Sequence, residues 1–161
     1  MNERIEQLIK KKTPVTLKIV QYVMIALAVF FVWYFGILAI LFSLVAAVAA
    51  YFSWFYSKVE YEYIYFEKEL DIDVIYSMQK RKHLKTYDLS QLEILAPAGS
   101  YRLDSYKNRE VKTKDFSTHF PENAKNVYVM YIGGSEKVIF EPSEDLVKVI
   151  ANIAPRKVFT E

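Results

Sequence analysis

From Ile19 to Tyr56 the chain carries no Lys, Arg, Asp, Glu or His, an uncharged run of 38 positions in a chain of 161. One helix crosses the hydrocarbon core of a bilayer in about 20 residues, so the run is too long for one span and close to the length of two. The stretch Val32-Trp33-Tyr34-Phe35-Gly36 supplies the place to turn. Trp and Tyr concentrate at membrane interfaces, which puts Trp33 and Tyr34 at one interface and Trp54 and Tyr56 at the other. A single span would bury the Trp33–Gly36 group near the bilayer centre. The run therefore predicts a transmembrane helical hairpin over 15–57, with spans of about 15–34 and 37–57. Ala47-Val48-Ala49 has the small-x-small pattern of a signal cleavage site, but the apolar run before it is too long for a signal peptide and continues beyond it.

Ala39, Ser43 and Ala47 recur at four-residue spacing in the second span, with Ala46 and Ala50 beside them. Small residues on one face let helix backbones approach closely in lipid, so these three predict a helix-packing face. Its partner is the first helix, by the rule that short connections join neighbours, or else a second copy or another membrane protein. Residues 1–14 form a basic juxtamembrane segment: Arg4, Lys10, Lys11 and Lys12, joined by Lys18, stand against only Glu3 and Glu6. Residues 57–161, with 16 basic and 17 acidic side chains, are close to neutral. A basic N-terminus and an even number of spans predict a multi-pass plasma-membrane protein with both termini cytoplasmic. Ile5, Leu8 and Ile9 before the three lysines read either as a short helix on the membrane surface or as a disordered basic tail.

Residues 58–161 read as a cytosolic β domain. VEYEYIYF (59–66) and LDIDVIY (70–76) alternate as half-buried strands do, and Glu67-Lys68 leaves room only for a tight turn. Pairing across it puts Val59, Tyr61, Tyr63 and Tyr65 on one face with Leu70, Ile72, Val74 and Tyr76, which predicts a core. Glu60, Glu62, Glu69, Asp71 and Asp73 gather on the other face. A third strand is expected from about Leu84 to Leu95, and a long loop, with one short helix at most, over 96–120. NVYVMYI (126–132) is apolar on both faces and reads as a central strand. Gly133-Gly134-Ser135 turns it into KVIFEP (137–142). Ser143 is a helix N-cap followed by Glu144 and Asp145, and Leu146, Val147, Ile150 and Ile153 form an apolar stripe ended by Pro155. The fold class is an α+β membrane protein, with a two-helix hairpin, about five to seven antiparallel strands and one C-terminal amphipathic helix.

The hairpin followed by EYEYIYFEKELDIDVIYSMQKRKHLKTYDLSQLEIL, and the closing IFEPSEDLVKVIANIAPRKVF, resemble small uncharacterised bacterial two-span membrane proteins with a C-terminal pleckstrin-homology-like (PH-like) domain. The resemblance covers nearly the whole chain. It implies a curved antiparallel sheet with one open end plugged by residues 143–154, in a domain class that binds lipids or peptides or serves as a scaffold. The best-known lipid-binding members place basic residues in the first hairpin turn. Here the turn between the two alternating strands holds Glu67, Lys68 and Glu69, so the resemblance speaks for architecture rather than phosphoinositide recognition.

QKRKHLK (79–85) concentrates Lys80, Arg81, Lys82 and Lys85 around His83. It reads as a solvated connection between strands or as a contact with anionic lipid, where each cation near the leaflet contributes about 1 kcal/mol. Lys10, Lys11 and Lys12 are candidates for the same contact. Nucleic-acid binding needs interleaved aromatics or a recognisable module, and neither is present. Asp71-Ile72-Asp73 matches a short metal–nucleotide pattern, but solvent-facing alternation accounts for it. His83 and His119 lack carboxylates at ligand spacing, Gly133-Gly134 lacks a phosphate-loop context, and cysteine is absent. No cofactor, metal site or catalytic set is expected. The function expected is a non-enzymatic, membrane-anchored binding or scaffold module of unknown ligand, its expected partners being membrane lipids or a protein. The alternative is an accessory subunit assembled through its hairpin with a membrane-protein partner or a second copy.

Overall fold

The computed structural model describes residues 4–36 and 40–161. Two helices, α1 (Val15–Phe35) and α2 (Ile40–Ser57), are each long and apolar enough to cross a membrane. They lie antiparallel: Gln21 Nε2 donates to Ser53 Oγ at 3.4 Å near one end, and Ser43 Oγ donates to the Ala28 carbonyl at 3.2 Å toward the other. Gly36, where the chain leaves α1, has φ +59, a left-handed conformation that glycine adopts without penalty.

The residues before α1 form neither a surface helix nor a tail. Ile5–Lys10 is a strand, β1, paired antiparallel with β2 (Val59–Phe66), Lys10 opposite Glu60 and Ile5 opposite Tyr65. The whole helical hairpin is thus the connection inside one β-hairpin. Ile5 and Ile9 pack on the core, and that burial together with β2's free edge holds as a strand six residues that sequence alone leaves ambiguous.

β2 turns at Glu67-Lys68 into β3 (Glu69–Tyr76), with Tyr65 opposite Leu70, Tyr63 opposite Ile72 and Tyr61 opposite Val74. The grouping by face follows the alternation. Both turn residues have positive φ, 48 and 70, the geometry that matches the twist of paired strands. β4 (Lys80–Asp88) follows after only Ser77, Met78 and Gln79, and the first sheet runs β1-β2-β3-β4. The expected third strand is therefore two: β4 begins four residues early, a 3-10 turn at Leu89–Gln91 breaks it, and β5 (Leu92–Pro97) enters a second sheet.

That sheet, ordered β5-β7-β8-β6, contains β6 (Lys112–Asp115), β7 (Tyr128–Ile132) and β8 (Glu136–Phe140). The segment expected as a loop holds a 3-10 helix at Tyr101–Tyr106 and β6, which pairs parallel with β8. Among the described residues there are eight strands rather than five to seven, and one pairing is parallel. β7 is central, and its two faces serve two cores: Met130 and Ile132 the main one, Val129 and Tyr131 a smaller one with Leu103 and Ile94. α3 (Glu144–Ile153), capped by Ser143 Oγ on the Leu146 amide, puts Leu146 and Ile150 into the main core between the sheets.

Candidate functional site

The basic stretch is a strand, and its outer-facing cations are already engaged. A one-residue bulge in β4 sets His83 opposite Asp73 and Lys85 opposite Ile72. That shift brings Arg81 and His83 to the acidic face of the sheet. Arg81 Nε donates to Asp73 Oδ2 at 2.6 Å, and its Nη2 lies 2.7 Å from Glu62 Oε2. His83 Nδ1 is 2.8 Å from Asp73 Oδ1, and Thr86 donates to Asp71. Burial pushes the Asp73 carboxyl up, but Arg81 and His83 outweigh it and hold the group below its ordinary value of 3.8. Lys85 reaches across to the second sheet, its Nζ 2.6 Å from both Glu136 oxygens. Of the stretch, only Lys80 and Lys82 form no ion pair among the described residues.

A second basic group sits where both helices meet the sheet. Lys12 N–H donates to the Thr118 carbonyl, Lys11 N–H to Val59, and Thr13 Oγ1 to the Ser57 carbonyl at 3.1 Å, so the helix bases are tied to the strands. The β3–β4 turn lies at the same end: Ser77 N–H donates to the Lys58 carbonyl, Ser77 Oγ to Phe55 at 2.6 Å, and Tyr76 packs edge-on against Tyr56. Here Lys10, Lys11, Thr13, Lys58, Val59, Glu60 and Met78 enclose an open cleft of about 290 Å³. Lys10 is 3.8 Å from Glu60, Lys11 lies over the Tyr61 ring, Lys12 over Phe120 and Lys58 over Trp54 at 4.1 Å. Met78 is 75% exposed beside them. Lys80 starts β4 at this end, opposite Tyr76. Sequence reasoning missed Lys58 and Met78, because only the pairing of β1 with β2 and the tight β3–β4 turn carry them to Lys10 and Lys11.

The expected helix-packing face is rotated. Ser43 does meet α1, but Ala46, Ala50 and Ser53 continue the half-buried line, while Ala47 turns outward; Ala39 lies outside the described residues. On α1 the matching line is Gln21, Met24 and Ala28. Helical spacing of three and four, rather than four throughout, selects these neighbours.

Two apolar helices spliced into a β-hairpin, two four-stranded sheets and a terminal helix between them define the architecture. The family model described as bacterial PH-like domain (DUF6106) matches residues 1–160. The chain belongs to this family. No curated protein and no solved structure matches it. The first hairpin of this PH-like domain is not the one that turns at Glu67-Lys68 but β1–β2, whose connection begins Lys11-Lys12 and ends at Lys58. The acidic first turn read from sequence was the second turn.

Proposed function

We propose that the protein is a non-enzymatic, membrane-anchored PH-like module that sits on the cytoplasmic face of the plasma membrane and binds anionic lipid headgroups at the rim formed by Lys10, Lys11, Lys12, Lys58 and Lys80. One observation carries the reading: both helices leave the domain through neighbouring strands, with four residues between β1 and α1 and one between α2 and β2. Linkers that short hold the rim at headgroup depth. The positive-inside rule gives the side, and each cation near an anionic leaflet contributes about 1 kcal/mol. Trp54 and Tyr56 fit the same interface. Arg81, His83 and Lys85, being occupied within the domain, take no part. The accessory-subunit reading loses its main argument, since Ser43 faces the hairpin's own first helix.

The test is native mass spectrometry of the full chain in phosphatidylcholine nanodiscs with and without phosphatidylglycerol. We expect phosphatidylglycerol to be retained above its bulk share, and Lys10→Gln/Lys11→Gln/Lys58→Gln to abolish the enrichment. Retention in proportion to bulk composition, or enrichment indifferent to the triple substitution, overturns the reading.

A further inference from the structure

A second cleft, of about 310 Å³, opens between the edge strand β1 and the start of α3. Gln7 and Ile9 form one wall, Glu144 and Val147 the other, and Asn123, Lys125 and Tyr128 close the side. Glu141 lines it too, at only 4% exposure. Among the described residues every hydrogen-bond donor to that carboxylate is neutral: the Thr118 N–H at 2.7 Å, the Thr118 hydroxyl at 2.7 Å, and Asn123 Nδ2 at 3.3 Å. Among the described residues neither Glu141 nor Glu144 forms an ion pair, although Lys125 stands exposed at the rim. A buried carboxylate without a counter-charge is costly. A glutamine in the same place keeps an acceptor for the Thr118 N–H and hydroxyl but sets its own amide donor against Asn123 Nδ2, so that one contact is lost.

From Glu6 to Leu8 the edge beside the cleft has no strand partner among the described residues other than β2, while further along Lys12 N–H is taken by the Thr118 carbonyl. β1 has β2 as its single strand neighbour. The alternation that turns Lys11 N–H to Val59 and Lys12 N–H to Thr118 turns the backbone groups of Glu6 and Leu8 outward. Gln7 fixes the edge against the cleft, its Nε2 donating to the Glu141 carbonyl at 2.9 Å and its Oε1 accepting from Ser143 N–H at 2.7 Å. Ile9 lies six residues before α1 begins, which at strand rise is within about 20 Å of the bilayer.

We propose that this cleft receives a Lys or Arg side chain from the basic juxtamembrane segment of another membrane-spanning protein, laid as an added strand along β1. Charge complementarity selects the occupant, and the cytoplasmic flanks of membrane proteins are where such segments abound. The assignment rests on the cytoplasmic placement proposed above but not on lipid binding.

The test uses the full chain in nanodiscs of phosphatidylcholine alone, where no anionic lipid competes, titrated with a fluorescent peptide of alternating Lys and Val and with its Glu-for-Lys counterpart. Saturable binding of the basic peptide only is expected, weakened at least about tenfold by Glu141→Gln and by Glu144→Gln, with a cooperative melt retained in both variants. The triple lysine variant retains this binding, which separates it from the lipid site. No saturable binding, or binding indifferent to both glutamate substitutions, overturns the proposal. A dimeric particle mass that reverts to monomeric in Glu141→Gln overturns the assignment to a different partner protein, since the chain's own basic flank then fills the cleft.

Discussion

Asp73 sits on the outer face of its sheet, yet it is buried, because Arg81 and His83 fold over it. Those two partners stabilise its ionised form more than burial destabilises it, so folding lowers the pKa. Such a group contributes stability that is fully present above the unfolded value of 3.8 and is lost as pH falls below it. Thermal melts in neutral detergent should therefore show the wild-type losing more stability between neutral pH and the acid end than Asp73→Asn, whose profile is flatter there. Parallel profiles would assign the acid sensitivity elsewhere. Tyr63 poses the opposite case. Fully buried, its hydroxyl donates to the Phe116 carbonyl at 2.8 Å and accepts from Glu141 N–H at 3.3 Å, and burial pushes its pKa far up. It acts as a neutral pin between the sheets. Tyr63→Phe leaves both groups without their partner and should cost about 1–3 kcal/mol, read as a lowered melting temperature with the fold retained.

Elements whose faces differ were legible in the sequence, and those without contrast were not. β2 and β3 alternate so strictly that their register and core face follow from the period alone, and α3 declares itself by Ser143, Glu144, Asp145 and the stripe through Ile150. β1 carries no such signal: its six residues fit a helix as well as a strand, and the strand that decides between them lies about fifty positions on. β4 opens with polar residues on both faces, so only its pairing with Asp73 and Ile75 distinguishes it from a turn. β6, fully exposed, is a strand solely through β8. The basic cleft was half legible for the same reason, Lys10–Lys12 by their run and Lys58 not at all. Two predictions belong here. Removing residues 1–10 would cost nothing if they were a tail, but loss of Ile5 and Ile9 from the core and exposure of β2's edge should lower the melting temperature clearly. Lys68→Gly should raise it, with a gain in stability of up to about 1 kcal/mol, because glycine relieves the positive φ of 70 that lysine adopts at strain.

Taken whole, the molecule is a β-sandwich whose first hairpin has been opened and filled with two apolar helices. The strands on either side close on each other at Lys10 opposite Glu60. The core is built from residues of both sheets and α3, and none of α1 or α2 enters it. Replacing residues 11–59 with Asn-Gly joins Lys10 to Glu60 through a turn whose geometry matches the strand twist. The shortened chain is expected to be soluble and to fold cooperatively, with dispersed amide resonances, since neither helix contributes to the core. Losing Val59, Lys11 and the ties from Thr13 to Ser57 and from Ser77 to Phe55 should cost a few degrees at the helix end. If the proposed rim binds lipid, the affinity of the shortened chain for phosphatidylglycerol vesicles should fall to that of a weak surface contact, because Lys11, Lys12 and Lys58 are gone. A molten or aggregated product would instead show that the hairpin is needed to assemble β1 against β2.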